Sequence, residues 1–175
     1  MIPETWIWCR LEDIAQSDLG KTLDKAKNKG IYRPYLRSVN IRWGSIDLND
    51  LNQMKFEDEE IPRYTIQKND LLICEGGEAG RCAVWAYEDS ILYQNAIHRI
   101  RFHKLIHPYF YLYVIWLYND INLLDEFTKG VTIKHLTKSA LNNIPFPLPP
   151  MNEQIKIVDI IENLFSILKS IVDEL

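Results

Sequence analysis

The chain has 175 residues, 47% hydrophobic and 25% charged, a balance that supports a packed core and excludes disordered, collagen-like and low-complexity classes. Its 20 basic and 24 acidic side chains give a net charge of -4, which taken whole argues against a general nucleic-acid binder. The longest apolar run, residues 109–118, is too short to cross a bilayer, so no membrane partner is expected.

Three cysteines (Cys9, Cys74, Cys82) without CxxC spacing fit a reducing compartment, and the N-terminus lacks the basic and apolar regions of a signal peptide. A cytoplasmic location follows as an expectation. In chain order, residues 6–11 alternate in apolar character and open the fold as a strand. Residues 20–30 are polar and turn-like. Residues 35–39 and 42–46 are β-compatible, and Leu71-Leu72-Ile73-Cys74 is a short buried strand. Gly76-Gly77-Glu78-Ala79-Gly80-Arg81 lacks the Lys-Ser/Thr of a phosphate loop and reads as a hairpin turn leading into 82–85. Residues 97–102 form another strand, with His98, Ile100 and Phe102 on one face and Ile97, Arg99 and Arg101 on the other.

Pro108 can start a helix because its missing N–H costs nothing in the first turn. The helix is expected over 109–127, largely buried, closing at Lys129-Gly130. Thr137 should cap a short helix over 137–142. Residues 144–150 carry four prolines and read as an extended strut. After it, 151–175 holds no Gly or Pro. Ile157, Ile161, Leu164, Leu168, Ile171 and Leu175 recur at alternating steps of four and three, a heptad seam that Val158, Phe165 and Val172 widen. A helix over 151–175 would span about 37 Å, and its apolar face calls for a second helix. The alternative is that it folds back on its own domain. The fold class is therefore α+β: a mixed, largely antiparallel twisted sheet with a few helices, followed by a long C-terminal α-helix forming a coiled coil. The expected divisions are a domain over 1–143, a strut over 144–150 and a coiled-coil helix over 151–175.

Charge is distributed unevenly. Residues 20–42 hold Lys21, Lys25, Lys27, Lys29, Arg33, Arg37 and Arg42 against Asp24 alone, and 128–138 hold three lysines, a histidine and no acid. Acids collect at 47–60 and in the C-terminal segment. A chain with separated charge can present a basic face, although solvated loops are the simpler reading of each run taken alone. No catalytic set assembles. His98, His103 and His107 match no zinc spacing, and Asn143-Ile144-Pro145-Phe146 only superficially resembles the Asn-Pro-Pro-Phe/Tyr signature of amino-methyltransferases. What remains is an inventory suited to nucleic acid. Lys21, Lys25, Lys27 and Lys29 are phosphate candidates; Arg37, Asn40, Arg42, Gln94, Asn95, Thr132 and Lys134 are base-edge candidates. Lys129, His135 and Arg99 belong to the same inventory. Core packing is the simpler reading of Tyr35 and Trp43.

The order of these features resembles a target-recognition domain of the specificity subunit of type I restriction–modification enzymes. The resemblance covers the opening Ile2-Pro3-Glu4-Thr5-Trp6, the strand Tyr35-Leu36-Arg37-Ser38-Val39-Asn40-Ile41, Lys68-Asn69-Asp70-Leu71-Leu72-Ile73 and the Gly77–Ala83 hairpin. It is most specific at Ile144-Pro145-Phe146-Pro147-Leu148-Pro149-Pro150-Met151-Asn152-Glu153-Gln154, which looks like the family's entry to its conserved-region helix. The resemblance implies a chain without catalytic activity or cofactor of its own. It would read one half of a bipartite site in double-stranded DNA. Partner methyltransferase subunits would flip and methylate adenine with S-adenosylmethionine, and a restriction subunit can join and cleave. The family's full subunit has two recognition domains and two helices, and this chain has one of each, so a second domain or a second copy would join through the C-terminal helix. Two other classes compete: a coiled-coil assembly protein whose domain binds protein, and an autonomous enzyme with a deep pocket of perturbed titratable groups. One basic concave face built from 20–42 and 128–138 favours DNA; scattering, or pairing with acids, favours a protein partner.

Overall fold

In the computed structural model, which describes residues 2–103, 105–130 and 134–174, the chain runs β1 (Ile7–Arg10), α1 (Leu11–Ile14), β2 (Ala15–Leu19), β3 (Ile31–Leu36), β4 (Ile41–Arg42), β5 (Ser45–Ile46), β6 (Asn52–Phe56), α2 (Ile61–Tyr64), β7 (Thr65–Ile66), β8 (Leu71–Cys74), β9 (Cys82–Val84), β10 (Ile91–Tyr93), β11 (Ile97–Phe102), α3 (Pro108–Asp120), α4 (Lys138–Asn142), β12 (Pro145–Leu148) and α5 (Met151–Asp173). Strand β8 sits inside an antiparallel sheet of order β2-β11-β8-β9. All four of its residues are buried because the sheet is covered on both faces. Leu71 and Ile73 pack with Tyr111, Leu112 and Ile115 of α3. Leu72 and Cys74 pack with Leu36, Ile66 and Tyr93 from the second sheet. That sheet has the order β6-β3-β10-β7, with β3 and β10 parallel and the other pairs antiparallel. The result is three layers: α3, the β8 sheet, and the β3 sheet. The expected α+β class holds, with the sheets mixed and largely antiparallel.

Several local expectations hold. Pro108 opens α3 at its first turn. Thr137 caps α4, its hydroxyl accepting from the Ala140 N–H. The 76–81 segment turns β8 into β9 with Gly77 and Gly80 at positive φ. Two expectations need correction. The helix expected over 109–127 stops at Asp120, because Asn122 enters the left-handed region at φ 59 and residues 123–127 tighten into a 3-10 turn; asparagine is among the few residues that adopt that conformation readily. The 144–150 strut is extended, but it is not a free spacer. Strand β12 pairs antiparallel with β1, Ile144 and Phe146 are buried, and the Phe146 ring stacks on Tyr111 at 3.5 Å. Pro145 and Pro147 alternate with Phe146 and Leu148. Their missing donors can therefore fall on the outer edge of the pair, where a strand tolerates proline.

Helix α5 is clamped at its first turn. Gln154 is buried, with Oε1 accepting from the His107 N–H at 2.8 Å and Nε2 donating to the carbonyls of Pro149 (2.9 Å) and Leu105 (3.3 Å). Glu153 accepts from the Trp6 indole N–H at 2.8 Å. The helix then lies along α3. Val158 is buried, and Phe165 stacks on Trp116 and tilts against Tyr113. The fold-back alternative is thus correct for the proximal turns. It fails further on: Ile157 and Ile161 are half-covered, whereas Leu164, Leu168 and Ile171 are each more than half exposed. Leu175 lies outside the described residues.

Candidate nucleic-acid interface

Backbone hydrogen bonds gather loops from distant parts of the sequence at one end of the layers. Gly20 donates to Ile97, Lys21 to Tyr93, Gln94 to Leu36 and Asn95 to Lys21. Glu75 donates to Ala96, and Leu136 donates to Glu75 at 2.7 Å. Lys129 and His135 exchange both backbone bonds. The Arg81 guanidinium donates to the Ser38 carbonyl at 3.0 Å. Residues 20–22, 36–38, 75–81, 94–96, 129 and 135–136 are thereby linked. The start of the first basic run, the ends of the second and the Gln94-Asn95 turn are brought together by these bonds. Ala96 closes its turn in the left-handed region at φ 76, with its N–H donating to Asn95 Oδ1.

The expected contact residues differ in availability. Lys21 requires correction as a phosphate candidate: it is 5% exposed, paired with Glu60 and lies over the Phe56 ring. Asn40 requires correction as a base reader. It is 2% exposed, accepts from the Arg37 N–H, and donates to the carbonyls of Asp47 and Asp50, so it shapes the 37–50 loop. Arg99 is buried as well, held by Asp18 and the carbonyls of Arg63 and Thr65. Tyr35 is core, and Trp43 stacks on Trp116. Three expected residues carry acidic partners at the surface: Lys27 with Asp24, Arg37 with Asp50, and Lys134 with Asp125. The exposed pairs of Lys27 and Lys134 are worth about 0–1 kcal/mol each, whereas the Arg37 side chain is only 22% exposed and also donates to the Asp50 carbonyl. Lys25, Lys29 and Arg42 are exposed and have no acidic partner among the described residues. Gln94 and Asn95 are half-buried, with Asn95 Nδ2 donating to Thr22 Oγ1. Thr132 lies outside the described residues. The charge criterion set above is therefore divided: the segments meet, but part of their charge is compensated.

His98 supports this end from below. It is fully buried, its Nε2 is 2.8 Å from the Leu136 carbonyl, and burial pushes its pKa down to about 4. The ring is neutral at physiological pH, and Nε2–H is the tautomer that satisfies the carbonyl. The unfolded chain takes up this proton near 6.5 and the folded chain only near 4, so stability falls as pH drops through that window. We expect a loss of about 3 kcal/mol by pH 4 from this group. Urea unfolding at stepped pH should show that slope, and His98→Gln should flatten it.

Reactive chemistry is sparse among the described residues. No group of three His, Cys, Asp or Glu is placed to hold a metal. Burial raises the pKa of Cys9, of Cys74 to about 11, and of Cys82, which leaves none of them a thiolate at neutral pH. Among the described residues, no helix is long and apolar enough to cross a membrane. Sequence reasoning missed His98 as a loop support and Ala96 as a turn residue. Alanine carries no turn signal, and a histidine's burial depends on strands distant in sequence.

Over residues 3–175 the chain matches the family model described as Type I restriction modification DNA specificity domain. It is 33% identical over 140 residues to the EcoBI specificity subunit of Escherichia coli, covering 78% of this chain and 29% of that protein. It is 27% identical over 173 residues to the MjaVIII specificity subunit of Methanocaldococcus jannaschii, covering 97% of this chain and 38% of that protein. The chain thus spans well under half the length of these relatives. Among solved structures, it superposes on a chain of a type I R-M system with a TM-score of 0.75 at 19% identity, covering 98% of this chain and 41% of that one. The HsdS subunit from Thermoanaerobacter tengcongensis gives 0.74 at 17%, covering 99% and 40%. At these identities the structures share the fold.

Proposed function

Because this chain belongs to the type I restriction modification DNA specificity domain family, we propose that it is the sequence-reading module of a specificity subunit, binding double-stranded DNA over one half of a bipartite site. The observation that supports this most is the joining of residues 20–22, 36–38, 75–81, 94–96, 129 and 135–136 at one end of a rigid scaffold, the arrangement from which binding surfaces are generally built. Arg42, Gln94 and Asn95 are the base-edge readers in this reading. Arg37 and Lys134 join them when DNA replaces their carboxylate partners, and Thr132 keeps its assignment as a base-edge residue. Lys25, Lys27 and Lys29 hold phosphates.

The chain itself carries out no reaction here. Adenine methylation, with S-adenosylmethionine, belongs to partner methyltransferase subunits, and cleavage belongs to a restriction subunit. The exposed residues Leu164, Leu168 and Ile171 of α5 take a second helix as a coiled coil, from the remainder of a longer subunit or from a second copy. A self-paired form would have two-fold symmetry and read a palindromic bipartite site.

The ion pairs of Lys27, Arg37 and Lys134 favour a second reading, in which this end binds a protein. Duplex binding by the assembly with its methyltransferase, measured over a salt series, separates the two. DNA reading predicts a steep fall in affinity as salt rises. Asn95→Ala or Arg42→Ala should cost about 1–3 kcal/mol and relax one position of the site, while Lys29→Ala weakens all sequences alike. Salt-insensitive binding, or equal affinity for every duplex, contradicts DNA reading.

A further inference from the structure

The loop that leaves the interface at Thr22 folds over the outer part of the β3–β6 pair and encloses a cavity of about 350 Å³. Leu23, Lys25, Asn28, Tyr32, Gln53, Met54 and Lys55 line it. Lys68, Arg81, Arg101 and Lys138 are tied to carboxylates. Lys25 and Lys55 have no acidic partner among the described residues, and neither does Lys29 in the same loop. Two cations without an acidic partner therefore line this cavity, and a third lies in its loop.

Tyr32 is 62% exposed, an unusual state for a large aromatic residue on a strand. It sits directly across from Lys55, whose ammonium lies 5.4 Å from the ring centroid. The ammonium covers one ring face, and the exposure of the residue leaves ring surface for a planar group. Asn28 is oriented by its Nδ2, which donates to the Thr22 carbonyl and contacts Met54 Sδ. That leaves its Oδ1 as an acceptor, beside the exposed amide of Gln53. An exposed aromatic ring, two lysines and two amides match the three parts of one ligand class: a flat base to stack, an edge to hydrogen-bond, and a phosphate to neutralise.

We propose that this cavity binds a nucleoside phosphate, stacking the base on Tyr32 and holding the phosphate with Lys25 and Lys55. The ligand is either a free nucleotide or a single unstacked nucleotide of a nucleic-acid strand. The site is separate from base reading by Arg42, Gln94 and Asn95; it shares Lys25 with the proposed phosphate contacts, and the mononucleotide arm of its test does not depend on duplex binding.

Titration of the full chain with deoxyadenosine monophosphate, with a single-stranded (dA) octamer and with inorganic phosphate, followed by amide chemical shifts, tests the proposal. Deoxyadenosine monophosphate or the octamer should shift the amides of residues 23–32 and 53–55. Tyr32→Ala should weaken binding by roughly tenfold or more, and Tyr32→Phe should retain it. Tyr32 is exposed, so loss of fold is readily excluded from the spectrum of the free variant. Shifts with the mononucleotide assign a free-nucleotide site, and shifts with the octamer alone assign a strand site. Absence of shifts with both, or equal response to inorganic phosphate with no effect of Tyr32→Ala, overturns the proposal.

Discussion

Gly20→Ala is expected to destabilise the domain by about 3 kcal/mol, a fall in melting temperature of roughly 6–12 °C. A β-carbon at this position would lie 2.2 Å from the Gln94 carbonyl oxygen and 2.7 Å from the Tyr93 ring. Neither strand can retreat cheaply, because Lys21 donates to Tyr93 and Asn95 donates back to Lys21 on either side of the contact. The substitution therefore strikes the joint between the 20–30 loop and the Gln94-Asn95 turn. DNA affinity should fall along with stability. Gly77→Ala is the comparison. Gly77 has a positive φ, but a β-carbon there meets nothing within 4 Å, so only the backbone term of about 1 kcal/mol applies. Thermal unfolding of the two variants should separate them clearly. Equal melting temperatures would contradict the close approach at Gly20.

Gln154→Leu is expected to cost roughly 3–5 kcal/mol and to loosen α5 from the domain. Leucine fills a similar volume but leaves the buried Pro149 carbonyl and the part-buried His107 N–H without their partner, and frees the Leu105 carbonyl of a more exposed residue. Each buried group stranded in this way costs about 1–3 kcal/mol. Glu153→Gln should cost much less, since its amide oxygen can still accept from the Trp6 indole. Urea unfolding measures the stability, and hydrogen exchange along α5 reports the clamp. Early exchange at Val158 is expected in Gln154→Leu alone. The Glu-Gln pair that follows the prolines thus has a physical role: it fixes the angle at which the helix leaves the domain.

What was legible in the sequence is what local chemistry determines. The run Leu71–Cys74 could only be a strand covered on both faces. Gly77 and Gly80 mark their hairpin, Pro108 and Thr137 mark helix starts, and the heptad seam marks the helix over 151–175. Strands β2 and β6, with sequences Ala15-Gln16-Ser17-Asp18-Leu19 and Asn52-Gln53-Met54-Lys55-Phe56, carry mixed polar patterns. Pairing with β11 and β3 makes them strands. The errors among the contact residues have the same origin. Lys21 is buried because Glu60 comes from a loop 39 positions away, and Asn40 is buried because its amide closes a loop that returns at Asp47 and Asp50. A basic or amide side chain in a polar segment looks the same in the sequence whether it reads DNA or holds a loop together. The 144–150 segment shows the limit from the other side. Its prolines correctly signal an extended chain, but the partner strand β1 lies at the opposite end of the sequence.

The central claim is that the joined loops select a DNA sequence. It is tested most directly by mapping methylated adenines in cells that carry this chain with the type I methyltransferase subunits proposed as its partners, comparing the parent with Asn95→Ala and Arg42→Ala. The account predicts a single bipartite motif for the parent and a loss of discrimination at one position for each variant, with the other half-site and the spacer unchanged. An identical motif in the parent and both variants, or methylation without any motif, would contradict it.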